Sequence, residues 1–231
     1  MYLSTANTSV SCKFYGNTLL KNLTINLLMK QLPILTFLFC LTFITKAQIV
    51  EYRVDKYVKA NVIDTFLVYS FPCSGQGIWF DSCKYEEPQY LIWKQKGVYY
   101  LKKFDYCKTY KTIQLDSANP ICFYLLNKKG IDREKIRQPT YFEYKKTGKK
   151  IDTLQITSMV DHSCSHKFKL PLTTNPKYKY ANTYDLDFKF FDNGRKNIYY
   201  VYNQKTKFKL LIDKTTTLIK EIDSRNEFEP E

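Results

Sequence analysis

Apolar and polar residues alternate with a period of two along much of this chain. Val50, Tyr52, Val54, Val58, Ala60 and Val62 fall on even positions, with Glu51, Arg53, Asp55, Lys59 and Asn61 between them. That is the pattern of a strand with one buried face. Tyr90-LIWKQ and Val98-YYLKK flank Lys96-Gly97 and predict a hairpin. Leu186, Phe188 and Phe190 alternate with Asp187 and Lys189 ahead of the turn signal Asp192-Asn193-Gly194, and Ile198-YYVY reads as the returning strand. Phe208-KLLID and Leu218-IKEI predict a last pair around Thr215 to Thr217.

One segment reads as helix: Pro120 to Lys128, with Asn119 as N-cap, proline at the first helical position and Gly130 as the stop. A short turn is expected at Asp132. The sum of these signals, about ten short strands with hairpin connections and one short helix near 120–128, predicts a mainly β fold, α+β at the margin. An antiparallel sandwich or open barrel is the expected arrangement.

The first 47 residues follow a different pattern. Leu32 to Ile44, LPILTFLFCLTFI, carries no charge, is introduced by Met29-Lys30 and is followed by Thr45-Lys46-Ala47. A membrane-spanning helix needs roughly twenty apolar residues, so this shorter run predicts a signal peptide cut after Ala47. Met29 offers a second start, from which residues 29–47 form a leader of ordinary length. The layout resembles the leaders of exported bacterial proteins, and a periplasmic or extracellular location is expected. The remainder divides into one β-rich domain, 48–223, and a frayed acidic tail, 224–231.

Charge and cysteine content sharpen this picture. Beyond Ala47 the chain carries 32 Lys+Arg against 22 Asp+Glu, a net +10. Such a balance favours an anionic glycan or envelope component, or a protein partner, through long-range attraction. No nucleic-acid motif accompanies it, so nucleic acid is not an expected partner, and membrane contact is expected only through an uncleaved leader. Five cysteines remain, a count that in an oxidising compartment implies two disulfides and a spare thiol. Cys73 with Cys83, across a loop holding Gly75 and Gly77, is the first expected pair and Cys107 with Cys122 the second.

Candidate chemistry lies in two places. Asp161-His162-Ser163-Cys164-Ser165-His166 contains both histidines of the chain. His162, Cys164 and His166 at every second position share a strand face and offer ligands to Zn or Cu, which gives an alternative reading as a metal-binding protein or hydrolase. The second place is the aromatic stretch 74–93, in which Trp79, Tyr85, Tyr90 and Trp93 are candidate binding residues. The chain shows no phosphate loop, no nucleophile elbow and no HExxH motif. An exported, non-enzymatic binding or envelope-associated domain is therefore the leading expectation.

Overall fold

Val50, Val54 and Val58 stand four residues apart, a spacing that serves a helix as well as a strand, and in the computed structural model the helix prevails. Gln48–Ala60 forms α1. Val50 and Val54 are buried, with Tyr57 and Val58 packed beside them, whereas Tyr52 and Val62 are exposed. A strand would have buried all the even positions together. The structure describes residues 48–74, 87–117, 119–170 and 177–231. The leader, Trp79, Cys83 and Tyr85 lie outside them.

The described residues form eight strands. In chain order they are β1 (Thr65–Ser70), β2 (Gln89–Gln95), β3 (Val98–Phe104), β4 (Ile113–Leu115), β5 (Thr140–Thr147), β6 (Lys150–Thr157), β7 (Ser165–Leu170) and β8 (Lys177–Asn182). Six of them build one antiparallel sheet in the order β4-β3-β2-β1-β7-β8, and β5 and β6 pair separately as a two-stranded ribbon. The fold is thus mainly β and antiparallel, as expected. The β2–β3 hairpin turns at Lys96-Gly97 with φ of 49° and 83°, the left-handed backbone of a two-residue turn.

Helices cover both faces of the open sheet. One face presents Leu67 and Tyr69 of β1, Ile92 of β2, Leu101 of β3 and Phe168 and Leu170 of β7. Against it pack α2 (Pro120–Arg133), through Ile121, Tyr124 and Ile131, and a long C-terminal helix, Lys207–Ser224, through Phe208, Leu211, Ile212 and Ile222. The other face presents Val68, Leu91, Trp93 and Phe104 to α1. There the buried Lys169 reaches Asp55 at 2.7 Å and Glu51 at 3.3 Å, and the Tyr178 hydroxyl donates to Glu51 at 2.5 Å. These bonds clamp the helix to the sheet alongside its valines.

The helix expected near 120–128 is present and runs on to Arg133, through Gly130. Asn119 caps it by accepting from the Cys122 amide at 3.1 Å. Elsewhere the expected strands give way. Leu186 lies in the short helix α3 (Thr183–Asp187), and the Asp192–Gly194 turn is flanked by a single bridge, Phe190 to Lys196. Ile198-YYVY becomes largely α4 (Tyr200–Lys205), and the last strand pair is one helix, α5 (Lys207–Ser224). Thr206 caps α5 by accepting from the Lys209 amide, and the Thr215 and Thr216 hydroxyls donate back to Leu211 and Ile212 carbonyls. Threonines that look like a turn are thereby satisfied inside a helix.

The acidic tail is also corrected. Phe228 packs on Tyr90 and Tyr110, Pro230 bridges to Tyr110, and Glu229 and Glu231 pair with Lys111 and Lys102. The tail is seated along the β3–β4 side of the sheet rather than frayed.

The cysteines pair differently from expectation. Cys73 is bonded to Cys164, 91 residues away, in place of Cys83. Cys107 is disulfide-bonded as well, while Cys122 is a free, half-buried thiol, so the expected Cys107–Cys122 pair does not form. The reason lies in topology: β1 and β7 are neighbours, and the bridge sits where both strands meet the same end of the sheet, the partners forming an isolated β-bridge.

Candidate functional site

The register brings three polar aromatics to one patch of the face covered by α2 and α5. Tyr69 of β1 lies opposite Tyr90 of β2 and opposite Phe168 of β7. His166, two residues before Phe168, therefore emerges on the same face. Its imidazole stacks beside Tyr69 and Phe71, with centroids 6.0 and 4.7 Å away. Across from this wall, α5 contributes Lys209, Ile212, Asp213 and Thr216, the i, i+3, i+4, i+7 positions of one helical stripe. Between wall and stripe lies a cavity of about 490 Å³, lined also by Pro88, Leu186 and Asp187.

The electrostatics of this cavity are set by burial. The Tyr69 hydroxyl and His166 Nδ1 are 2.9 Å apart. Desolvation, with a smaller contribution from Tyr90, pushes the Tyr69 phenol well above its ordinary range. Tyr90 is pushed up to about 12 by burial, with Asp223, Tyr110 and Asp105 adding to it. The same burial, joined by the Lys209 ammonium and opposed by Asp213, pushes the His166 imidazole down to about 4. At neutral pH both phenols therefore keep their protons and the imidazole is uncharged. When Tyr69 donates to Nδ1, Nε2 carries the ring proton and remains a donor. Lys209 and Asp213 form an ion pair at 2.6 Å along α5. A neutral imidazole of such low basicity is a poor general base at pH 7, so the arrangement suits hydrogen-bonded recognition better than proton transfer.

The His166 shift carries a pH dependence with a definite sign. An unfolded chain protonates this histidine below about 6.5, whereas the folded protein resists until about 4. The unfolded state thus binds the extra proton in that window, and stability present above pH 6.5 is lost as pH falls toward 4. Unfolding free energies measured across this range are expected to decline with acid in the parent and to decline less in His166→Gln.

The bridge between Cys73 and Cys164 stands beside the cavity, because Phe71 and His166 each lie two residues from one of its cysteines. The Cys73 amide donates to Glu87 Oε1 at 2.6 Å, and Ser74 exchanges hydrogen bonds with Ser163. The rim is thus tied to β1, to the start of β2 and to the approach to β7.

Of the described residues singled out from sequence, the structure brings Tyr90 and His166 together in the cavity and places Trp93, His162 and Cys164 elsewhere. Trp93 is buried on the opposite face, stacked on Tyr100, and its indole nitrogen has no partner among the described residues. His162 is exposed in the loop before β7. Cys164, held in the disulfide, is neither a metal ligand nor a nucleophile, so the expected His162, Cys164, His166 set does not assemble. Among the described residues no group of three or more metal-ligating side chains converges. Sequence reasoning missed Tyr69, Phe71 and the whole α5 stripe. The helix that carries it was legible in principle, since Phe208, Leu211, Ile212 and Thr215 already follow a 3.6-residue period.

No described helix is long and apolar enough to cross a membrane. Compared with family models, with curated proteins and with solved structures, the chain matches none of them significantly.

Proposed function

We propose that the chain is an exported, non-enzymatic binding domain that holds a small amphiphilic ligand between the sheet and α5. The cavity carries this reading: one wall of Tyr69, Phe71, Tyr90 and His166 offers apolar surface and hydrogen-bonding tips, and the other offers the Lys209–Asp213 pair and Lys220. Concave, mostly apolar sites with a few convergent polar groups are the usual form of ligand pockets. Export is supported by the leader-like run 32–44 and by disulfide bonding, which persists in oxidising compartments such as the bacterial periplasm.

Protein recovered from an exporting host is expected to begin at Gln48 by intact mass and to bind the aromatic sulfonate 1-anilinonaphthalene-8-sulfonate. Thr216→Trp places an indole in the cavity from a half-buried helix position. It should weaken dye binding by about tenfold or more, 1.4 kcal/mol, with the unfolding midpoint near that of the parent. Equal binding by both proteins would remove the cavity as the site. A mass that retains residues 1–47 would remove export by cleavage.

A further inference from the structure

The ribbon β5–β6 pairs only with itself, and its two faces differ in composition. Its register sets Phe142 against Gln155, Tyr144 against Thr153 and Lys146 against Ile151 on one face. Tyr141, Glu143, Lys145, Asp152, Leu154 and Ile156 share the other. Both carboxylates of the ribbon thus lie on the second face.

Near its base, at Tyr141 and Glu143, that second face rests against the protein's own 190–196 turn, while Lys145, Asp152 and Leu154 farther out are exposed. Tyr141 packs edge-on against Phe191 with centroids 4.5 Å apart, and its hydroxyl accepts from Asn193 at 3.2 Å. The Arg195 guanidinium lies 5.0 Å from the Tyr141 ring and 3.5 Å from Glu143. The first face is left open. Phe142 is 36 % exposed, Tyr144 71 % and Ile151 68 %, and no carboxylate stands among them. At the free end, Lys145, Lys146, Lys149 and Lys150 crowd around the Gly148-Lys149 turn, all exposed.

We propose that this acid-free face docks on an anionic phospholipid bilayer. Phe142, Tyr144 and Ile151 would enter the interfacial layer while the lysines around the turn meet headgroup phosphates. Lysine stems lie along apolar surface with the charge held at the polar level, and aromatic side chains favour that same level. Apolar side chains flanked by lysines are what an interfacial segment uses. The aliphatic member decides against nucleic acid, which gains from stacking aromatics and phosphate contacts but offers nothing to Ile151. The surface is separate from the cavity, and the export reading enters only in deciding which membrane leaflet the ribbon meets.

Sedimentation with phosphatidylcholine vesicles, with and without phosphatidylglycerol, tests the assignment. The protein is expected to bind the phosphatidylglycerol vesicles, to release as salt is raised, and to bind pure phosphatidylcholine far less. Each Lys→Gln change at 146, 149 or 150 should weaken binding about fivefold. The triple change Phe142→Ser, Tyr144→Ser, Ile151→Ser should abolish most of it. These positions are exposed, so the unfolding midpoint and dye binding in the cavity should be unaltered, which separates this proposal from the cavity reading. Comparison among variants also cancels any contribution from residues 1–47. Equal binding to both vesicle types, binding that survives the lysine and apolar changes, or preference for a duplex oligonucleotide over vesicles would each overturn it.

Discussion

Replacing Cys73 and Cys164 together by serine is expected to lower the unfolding free energy by about 4 kcal/mol. The bond closes a loop of 91 residues, and the stabilisation from a crosslink grows with the logarithm of the loop it removes from the unfolded chain. Both cysteines are only half-buried, so little of the loss comes from packing. The joint they reinforce is short: β1 meets β7 over Val68↔Lys169, Tyr69↔Phe168 and Ser70↔Lys167. Urea unfolding of the double variant against the parent, both oxidised so that the bond at Cys107 is common to the two, reads the difference directly. A loss under about 1 kcal/mol would mean that the strand pairing holds the rim without the sulfur.

Phe208→Ala should cost about 3–5 kcal/mol, and Leu210→Ala about 0.5 kcal/mol or less. Phe208 is 1 % exposed, packs edge-on against Phe168 with centroids 5.8 Å apart, and carries the Lys179 ammonium 4.7 Å from its ring. Its amide donates to Glu134, which ties the first turn of α5 to the end of α2. Leu210 is 42 % exposed. In a strand, positions 208 and 210 share a face and both changes would be costly. In a helix, 208 shares its face with 211, 212 and 215, and the two changes differ sharply. Chemical denaturation of the two variants therefore tests the C-terminal secondary structure and its packing on β7 together.

The strands legible in the sequence were those whose turns declare themselves. Lys96-Gly97 left no choice about β2 and β3, and Asn119-Pro120 announced α2. What sequence pattern alone misread were segments whose apolar residues sit at spacings common to both periods. Val50, Val54 and Val58 fit a strand and a helix equally, and the deciding fact, Tyr57 half-buried against Val50 and Val54 while Tyr52 is exposed, belongs to the tertiary structure. In α5, the β-branched run Thr215 to Thr217 concealed an apolar stripe that is helical on both sides of it. The disulfide was illegible for a related reason: nearness in sequence favours Cys83 for Cys73, but strand order decides, and strand order joins β1 to β7. At the site, Tyr90 and His166 were both in view, yet nothing in the sequence says that they face each other across β1.

The position of β7 beside β1 has a temporal consequence. β1 through β4 pair with sequence neighbours, whereas β7 must find β1 after nearly a hundred residues have been made, so the two parts of the sheet differ in contact order. Local pairings form early because they fix few residues per contact, and long-range ones wait for the loss of chain entropy to be repaid by many contacts at once. The cavity draws Tyr69, Phe71, Pro88 and Tyr90 from the early part, His166 from the late strand, and its remaining wall from a helix later still in the chain. No subset of the strands lines the whole cavity. On the proposed function, ligand capture therefore requires the whole topology, and a molecule in the cavity bridges β1 and β7, among the described strands the paired two farthest apart in sequence.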